Sequence, residues 1–149
     1  MIGACLATSV ASVALAVNAF TLAWTHSIEK VRWEERWRVE AAALVLEAVR
    51  VRGFGAGMEP PAGAVLRDGV WEWRPGSRHA VLRLTRSGYT ADYEWCTGEA
   101  AQGGEPACVP LSAILPADGG VTELRPCTMA PEAPTPVPEP VLRPAARNP

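Results

Sequence analysis

The chain carries no Asp, Glu, Lys or Arg before Glu29. That stretch, Met1 to Ile28, has two readings. Val10 to Val17 is mostly apolar and small, and Val17-Asn18-Ala19 has the form of a signal-peptidase site, as in a secretory signal peptide. But the positive n-region of such peptides is missing. Thr8, Ser9, Ser12 and Asn18 also interrupt the run too often for a membrane span, which needs roughly 20 mostly apolar residues. The second reading, taken here as the expectation, is a strand hairpin within residues 1–19, built from Ile2–Ala7 and Ser12–Val17. Burial on both faces would account for the missing charge.

Other absences narrow the function. There is no run of Lys and Arg, the formal net charge is −2 and the pI is near 5.7, which argues against a nucleic-acid partner. Cys5, Cys96, Cys108 and Cys127 form no Cys-x-x-Cys pair, so a zinc ribbon is excluded. The glycines of Gly53–Gly57 are followed by Met58-Glu59-Pro60-Pro61 rather than Gly-Lys-Ser/Thr, so they are no phosphate loop. No Gly-x-Ser-x-Gly elbow occurs, and Ser27 beside His26 would point to the opposite face of a strand, which speaks against a serine hydrolase. His26, Glu29 and Glu35 are the only grouping with metal-ligand character, and the other histidine, His79, falls on a different strand. No metal and no cofactor is expected.

What is present reads as strands. Of 149 residues, 48% are hydrophobic and 20% charged, as in an ordinary globular chain, and six are Trp. Phe20, Leu22, Trp24 and His26 alternate with Thr21, Ala23 and Thr25. Val31, Trp33, Glu35, Trp37 and Val39 share one face of the next segment, and Arg32, Glu34, Arg36, Arg38 and Glu40 the other. Leu44–Arg52 follows as a strand, with a helix over Ala41–Ala48 as the alternative by propensity. Asp68-Gly69 turns the chain into Val70–Trp73, and Ala80–Thr85 alternates again. After Ser87-Gly88, Tyr89, Ala91, Tyr93 and Trp95 are expected on one face, with Cys108–Leu115 as a last strand. The fold class is therefore all-β, a small antiparallel barrel or sandwich of about 7–9 short strands. One domain over residues 1–124 is expected, and 125–149 reads as a disordered Pro-rich tail, since eight of the fourteen prolines fall there. Cys96 and Cys108 flank a Gly-rich insert and read either as a disulfide across a hairpin or as two buried thiols. Cys127 is expected to be unpaired.

The candidate site lies in and after the first of these hairpins. An antiparallel register with Trp24 opposite Trp37 and Leu22 opposite Val39 places His26 opposite Glu35. Such a pair is either a binding or catalytic dyad or a hydrogen-bonded structural pair. Ser27 and Glu29 stand in the adjoining turn. Gly55 and Gly57, with Glu59 just beyond, form either a structural turn or a backbone-lined lip beside His26.

Phe20-Thr21-Leu22-Ala23-Trp24-Thr25-His26-Ser27-Ile28-Glu29-Lys30, Trp33-Glu34-Glu35, Gly55-Ala56-Gly57-Met58-Glu59-Pro60-Pro61 and Asp68-Gly69 together resemble the bacterial domain of unknown function 1850 family. The resemblance runs from about Phe20 to Leu111 and leaves out the Pro-rich tail. It implies no established activity. It does imply a small accessory protein found beside tripartite ATP-independent periplasmic transporters, with transporter components or a small-molecule ligand as partners. It also implies a periplasmic or membrane-associated location, against a cytoplasmic one if residues 1–19 remain as an uncleaved strand. The expected function is that of an accessory or binding protein. The alternative is a small enzyme using His26 with Glu35 or Glu29 for acid–base chemistry. The incomplete catalytic set favours the former.

Overall fold

A computed structural model describes residues 1–25, 30–53, 59–98, 106–130 and 136. Among these, twelve strands and one helical turn follow one another: β1 (Ile2–Ala7), β2 (Ser12–Leu15), β3 (Ala19–Thr25), β4 (Arg32–Val39), β5 (Leu44–Arg52), β6 (Val65–Arg67), β7 (Val70–Trp73), β8 (Arg78–His79), β9 (Leu82–Thr85), β10 (Glu94–Thr97), β11 (Ala107–Pro110), α1 (Leu111–Ile114) and β12 (Val121–Thr128). The chain is all-β, with more and shorter strands than expected. Three of the additional ones, β6, β8 and β12, have two or three residues or contain proline, which alternation alone does not reveal.

The strands form two antiparallel sheets. One runs β2-β1-β12-β9, and the other β11-β10-β3-β4-β5-β7-β6, with β8 beside β5. Among the described residues neither sheet closes, so the barrel alternative gives way to two open sheets. A single apolar cluster joins them. Ala4, Leu6, Leu84 and Leu124 from the smaller sheet meet Phe20, Leu22, Trp37, Val39, Leu44 and Trp95 from the larger, and Leu111 and Leu115 join the cluster. Phe20 stacks on Trp95 at 4.3 Å between ring centroids.

Strands β1 and β2 pair as a hairpin, but β2 ends at Leu15 rather than Val17 and only β1 is well buried; Ser12 and Ala14 are exposed on β2, an edge strand. The low charge of this segment thus reflects β1, which lies between β2 and β12. Gly3 is required there: a Cβ would come within 2.5 Å of the Leu15 carbonyl oxygen. Asp118 clasps the β1–β2 turn, accepting from the Ser9 hydroxyl at 2.5 Å and the Ser9 N–H at 3.0 Å. Those bonds, first the hydroxyl and then the N–H groups of Ser9 and Gly120, hold the exposed carboxyl down at about 2.

Four further expectations are corrected. The β3–β4 register pairs Phe20 with Trp37, Leu22 with Glu35 and Trp24 with Trp33, four residues from the register that would set Trp24 against Trp37. An even slip keeps every side chain on its face, so periodicity cannot detect it; two aromatic cross-strand pairs favour the observed one. By contrast, Leu44–Arg52 is a strand throughout, as expected, with a bulge at Glu47 between the Arg36–Ala48 and Trp37–Leu46 pairs. Tyr89 is fully exposed in a turn and β10 begins only at Glu94, while Leu111–Ile114 is helical rather than extended. Finally, Cys127 is neither unpaired nor in a tail. It lies on β12, opposite Gly3, and is bonded to Cys5. Strand β12 includes Arg125–Thr128, and Pro126 sits beyond the β9 pairing that ends at Leu124, where β12 has one neighbour and a missing N–H is tolerated. Apart from Pro136, the sequence beyond residue 130 lies outside the described residues.

Cys96 and Cys108 are directly opposed on β10 and β11 and are also bonded. Arg86 is buried at 3% exposure. Its Nε and Nη2 donate to the two Asp92 oxygens at 3.0 and 2.7 Å, and Nη1 donates to Thr122 Oγ1 at 3.2 Å. This fork ties the segment before β10 to β12.

Loop length sets the expected ranking of the disulfides. The Cys5–Cys127 bond spans 122 residues and the Cys96–Cys108 bond 12. Replacing each pair by Ser should cost about 5 and about 3 kcal/mol respectively in urea unfolding, and a reversed order would contradict the chain-entropy account. Arg86→Met should cost about 3–5 kcal/mol in the same assay, because it strands Asp92 beside the core; a cost below about 1 kcal/mol would show that the fork is dispensable.

Candidate functional site

The strand β4 presents Trp33, Glu35 and Trp37 on one face, two residues apart. Both indoles turn back on the carboxylate between them. Trp33 Nε1 donates to one Glu35 oxygen at 3.4 Å and Trp37 Nε1 to the other at 3.2 Å. Next to them, Trp24 stacks on Trp33 at 5.9 Å and meets Tyr93 edge-on at 5.5 Å. Trp73 closes on Trp33 edge-on at 5.8 Å, and His79 on Trp37 at 5.4 Å. The carboxylate therefore sits among aromatic rings on the inward face of the larger sheet.

A cavity of about 320 Å³ opens at this place. Leu22, Trp24, Glu35, Trp37 and Leu46 of the larger sheet form one wall, with His79 of β8 beside them; Leu82, Arg83 and Leu84 of β9 and Tyr93 form the other. The two walls belong to different sheets, so the cavity exists only because β9 is held over β3 and β4.

Burial pushes the Glu35 carboxyl above its ordinary value; the indole bonds from Trp33 and Trp37 and the charge of His79 pull it down, and burial prevails. Tyr93 is pushed up in turn, first by burial and then by the charges of Glu35 and Asp92. The other ionisable groups of the lining are engaged. Arg83 reaches Glu123 at 3.6 Å, and His79 Nε2 contacts Ser77 Oγ at 3.1 Å.

Of the residues singled out from sequence, Glu35 is in this cavity, but its cross-strand neighbour is Leu22 rather than His26. His26, Ser27, Glu29, Gly55 and Gly57 lie outside the described residues. Their flanks do converge: Thr25 pairs with Arg32, Trp33 with Val51, and Arg52 with Val70, so both segments leave from the same end of the larger sheet. Glu59 is exposed. The indole partners of Glu35 were missed. The signal was available as Trp-x-Glu-x-Trp, a carboxylate in the apolar phase of a strand with an indole on either side. Among the described residues no three His, Cys, Asp or Glu side chains are grouped to hold a metal ion.

The opposite face of the larger sheet carries charge of both signs. Arg32 pairs with Glu34 and Glu94, Arg50 with Glu34 and Glu72, Arg38 with Glu40 and Glu47, and Arg78 with Glu40. These are solvent-screened pairs that contribute little individually.

Residues 20–102 match the family described as Domain of unknown function (DUF1850). The chain belongs to that family. The match covers the whole lining of the Glu35 cavity and leaves out β1, β2, β11 and β12. It ends before Leu111, where the resemblance in sequence was placed. Comparisons with curated proteins and with solved structures gave no match. The DUF1850 segment thus contains the site but only β9 of the smaller sheet.

A raised carboxyl value has a definite sign in stability. The fold favours neutral Glu35, so ionising it costs stability as pH rises from the unfolded value through the folded one. Glu35→Gln abolishes that titration. The melting temperature of the wild-type chain relative to Glu35→Gln should fall as pH is raised from about 4 to about 7. A constant or rising difference would contradict burial as the dominant influence on Glu35.

Proposed function

We propose that this DUF1850 chain is a non-enzymatic binding protein whose ligand site is the Glu35 cavity. One observation carries this reading: a half-buried carboxylate, steadied by two indole N–H groups, faces an aromatic cavity of the size that holds small organic ligands. Binding sites of this kind combine apolar walls with few fixed polar groups.

The enzymatic reading has less support. Its acid–base pair rested on a register that sets His26 against Glu35, and the observed register differs. His79 with Ser77 is the nearest substitute for a base and a nucleophile. It lacks an orienting carboxylate, since among the described residues His79 is hydrogen-bonded to Ser77 and to no carboxylate. The family resemblance supplies the setting proposed here, an accessory protein of a tripartite ATP-independent periplasmic transporter. Two disulfides suit the oxidising compartment that this setting implies.

Leu82 lines the cavity and is only partly buried, which makes it a suitable position for obstruction. Small solutes taken up by the associated transporter should include one that raises the melting temperature of the wild-type chain by a few degrees. Leu82→Trp should keep its own melting temperature near wild type and lose that response. Equal responses in both proteins would remove the cavity as the site, and chemical conversion of the solute would restore the enzymatic reading.

A further inference from the structure

The Glu35 carboxylate has two indole donors, yet an ionised carboxylate offers about four acceptor positions. Among the described side chains of the lining no cation is ion-paired with the remaining lone pairs, and His79 acts on Glu35 only through its charge. Arg83 is directed to Glu123, at 3.6 Å, and its side chain is 66% exposed. His79 contacts Ser77 through Nε2 and meets Trp37 edge-on. Tyr93, the other titratable group of the lining, presents a neutral phenol. A carboxylate held among apolar rings without a hydrogen-bonded counter-ion is costly, and a cation entering the cavity would relieve that cost.

The walls add a second requirement. Leu22, Leu46, Leu82 and Leu84 are aliphatic, and Trp24, Trp37 and Tyr93 are aromatic. Aromatic faces attract cations, and all seven walls favour an apolar body. The ligand must therefore have a positively charged head that donates hydrogen bonds and a small hydrocarbon part. A metal cation has neither the donors nor the hydrocarbon part, a fatty acid carries charge of the wrong sign, and a sugar has no charged head.

We propose that the Glu35 cavity binds a small amphipathic amine, an alkyl- or arylalkyl-ammonium ion, with its ammonium donating to the Glu35 carboxylate and its hydrocarbon part against Trp24, Trp37 and the leucines. This rests on the binding reading above and specifies its ligand class. The alternative chemistry, an organic anion drawn by Arg83 and His79, would have to place its charge beside Glu35.

Titration calorimetry of the full chain at neutral pH, supported by tryptophan emission, tests this with three isosteric probes: 2-phenylethylammonium, 2-phenylethanol and phenylacetate. The ammonium should bind at least about tenfold more tightly than the alcohol, the order expected for a hydrogen bond to an ionised group. Phenylacetate should bind weakest. Glu35→Gln should bring the ammonium to the level of the alcohol, and wild-type affinity for the ammonium should rise with pH as Glu35 ionises. Equal binding of ammonium and alcohol, or preference for phenylacetate, overturns the amine assignment and leaves the cavity as a binding site. Absence of binding by all three up to millimolar concentration overturns both. The comparison of probes needs only the wild-type chain, so it stands even if Glu35→Gln folds poorly.

Discussion

The pairing of Ile2–Ala7 with Val121–Thr128 brings together the most distant parts of the described chain, and the rest of the architecture depends on it. Strand β12 carries β1 on one side and β9 on the other, so without it the smaller sheet has no centre. Closing so long a loop is entropically expensive, and the contact is secured in three ways. Cys5 is bonded to Cys127, Asp118 holds the β1–β2 turn, and Arg86 reaches Thr122 from beside Asp92. Leu6 and Leu124 then cover Phe20, Leu22 and Leu44 within one core. The segment matched to DUF1850 therefore relies on flanks outside the match to bury its inner face.

The same arrangement shapes the cavity. The larger sheet has more strands than the smaller one can cover, and its aromatic residues gather around Glu35. Strand β9 holds Leu82 and Leu84 over Leu22, Trp24 and Trp37 while being fixed to β12 by the Leu82–Leu124 and Leu84–Thr122 pairs. The stability of the smaller sheet and the shape of the cavity are thus joined through one short strand. A change that loosens the pairing of β1 with β12 would be felt at the cavity without touching its lining.

Much of this was legible in the sequence where a period of two is clean. Leu44–Arg52 and Val70–Trp73 were readable to the residue, and Ile2–Ala7 and the inward set Trp33, Glu35 and Trp37 followed from alternation. Register was not legible, because the face of each residue is the same after a slip of four. Strand β12 was hidden by Pro126 and by its position next to a Pro-rich segment, although an edge position accommodates that proline. The Cys5–Cys127 bond was hidden for the same reason, since its two cysteines meet only once β12 is known. Glu35 was identified as unusual because it is a carboxylate in an apolar phase. Its partners were sought across the hairpin, whereas the pleat of its own strand supplies them.

That last point bears on how such a site can persist. A carboxylate gripped by side chains two positions before and two positions after it needs no particular loop and no particular neighbouring strand to fix its posture. The grip is written in five consecutive residues, Trp33 to Trp37, and travels with them. Turns at the end of the sheet can therefore change length and chemistry while the carboxylate stays oriented. The strand is a self-contained unit that orients its own carboxylate.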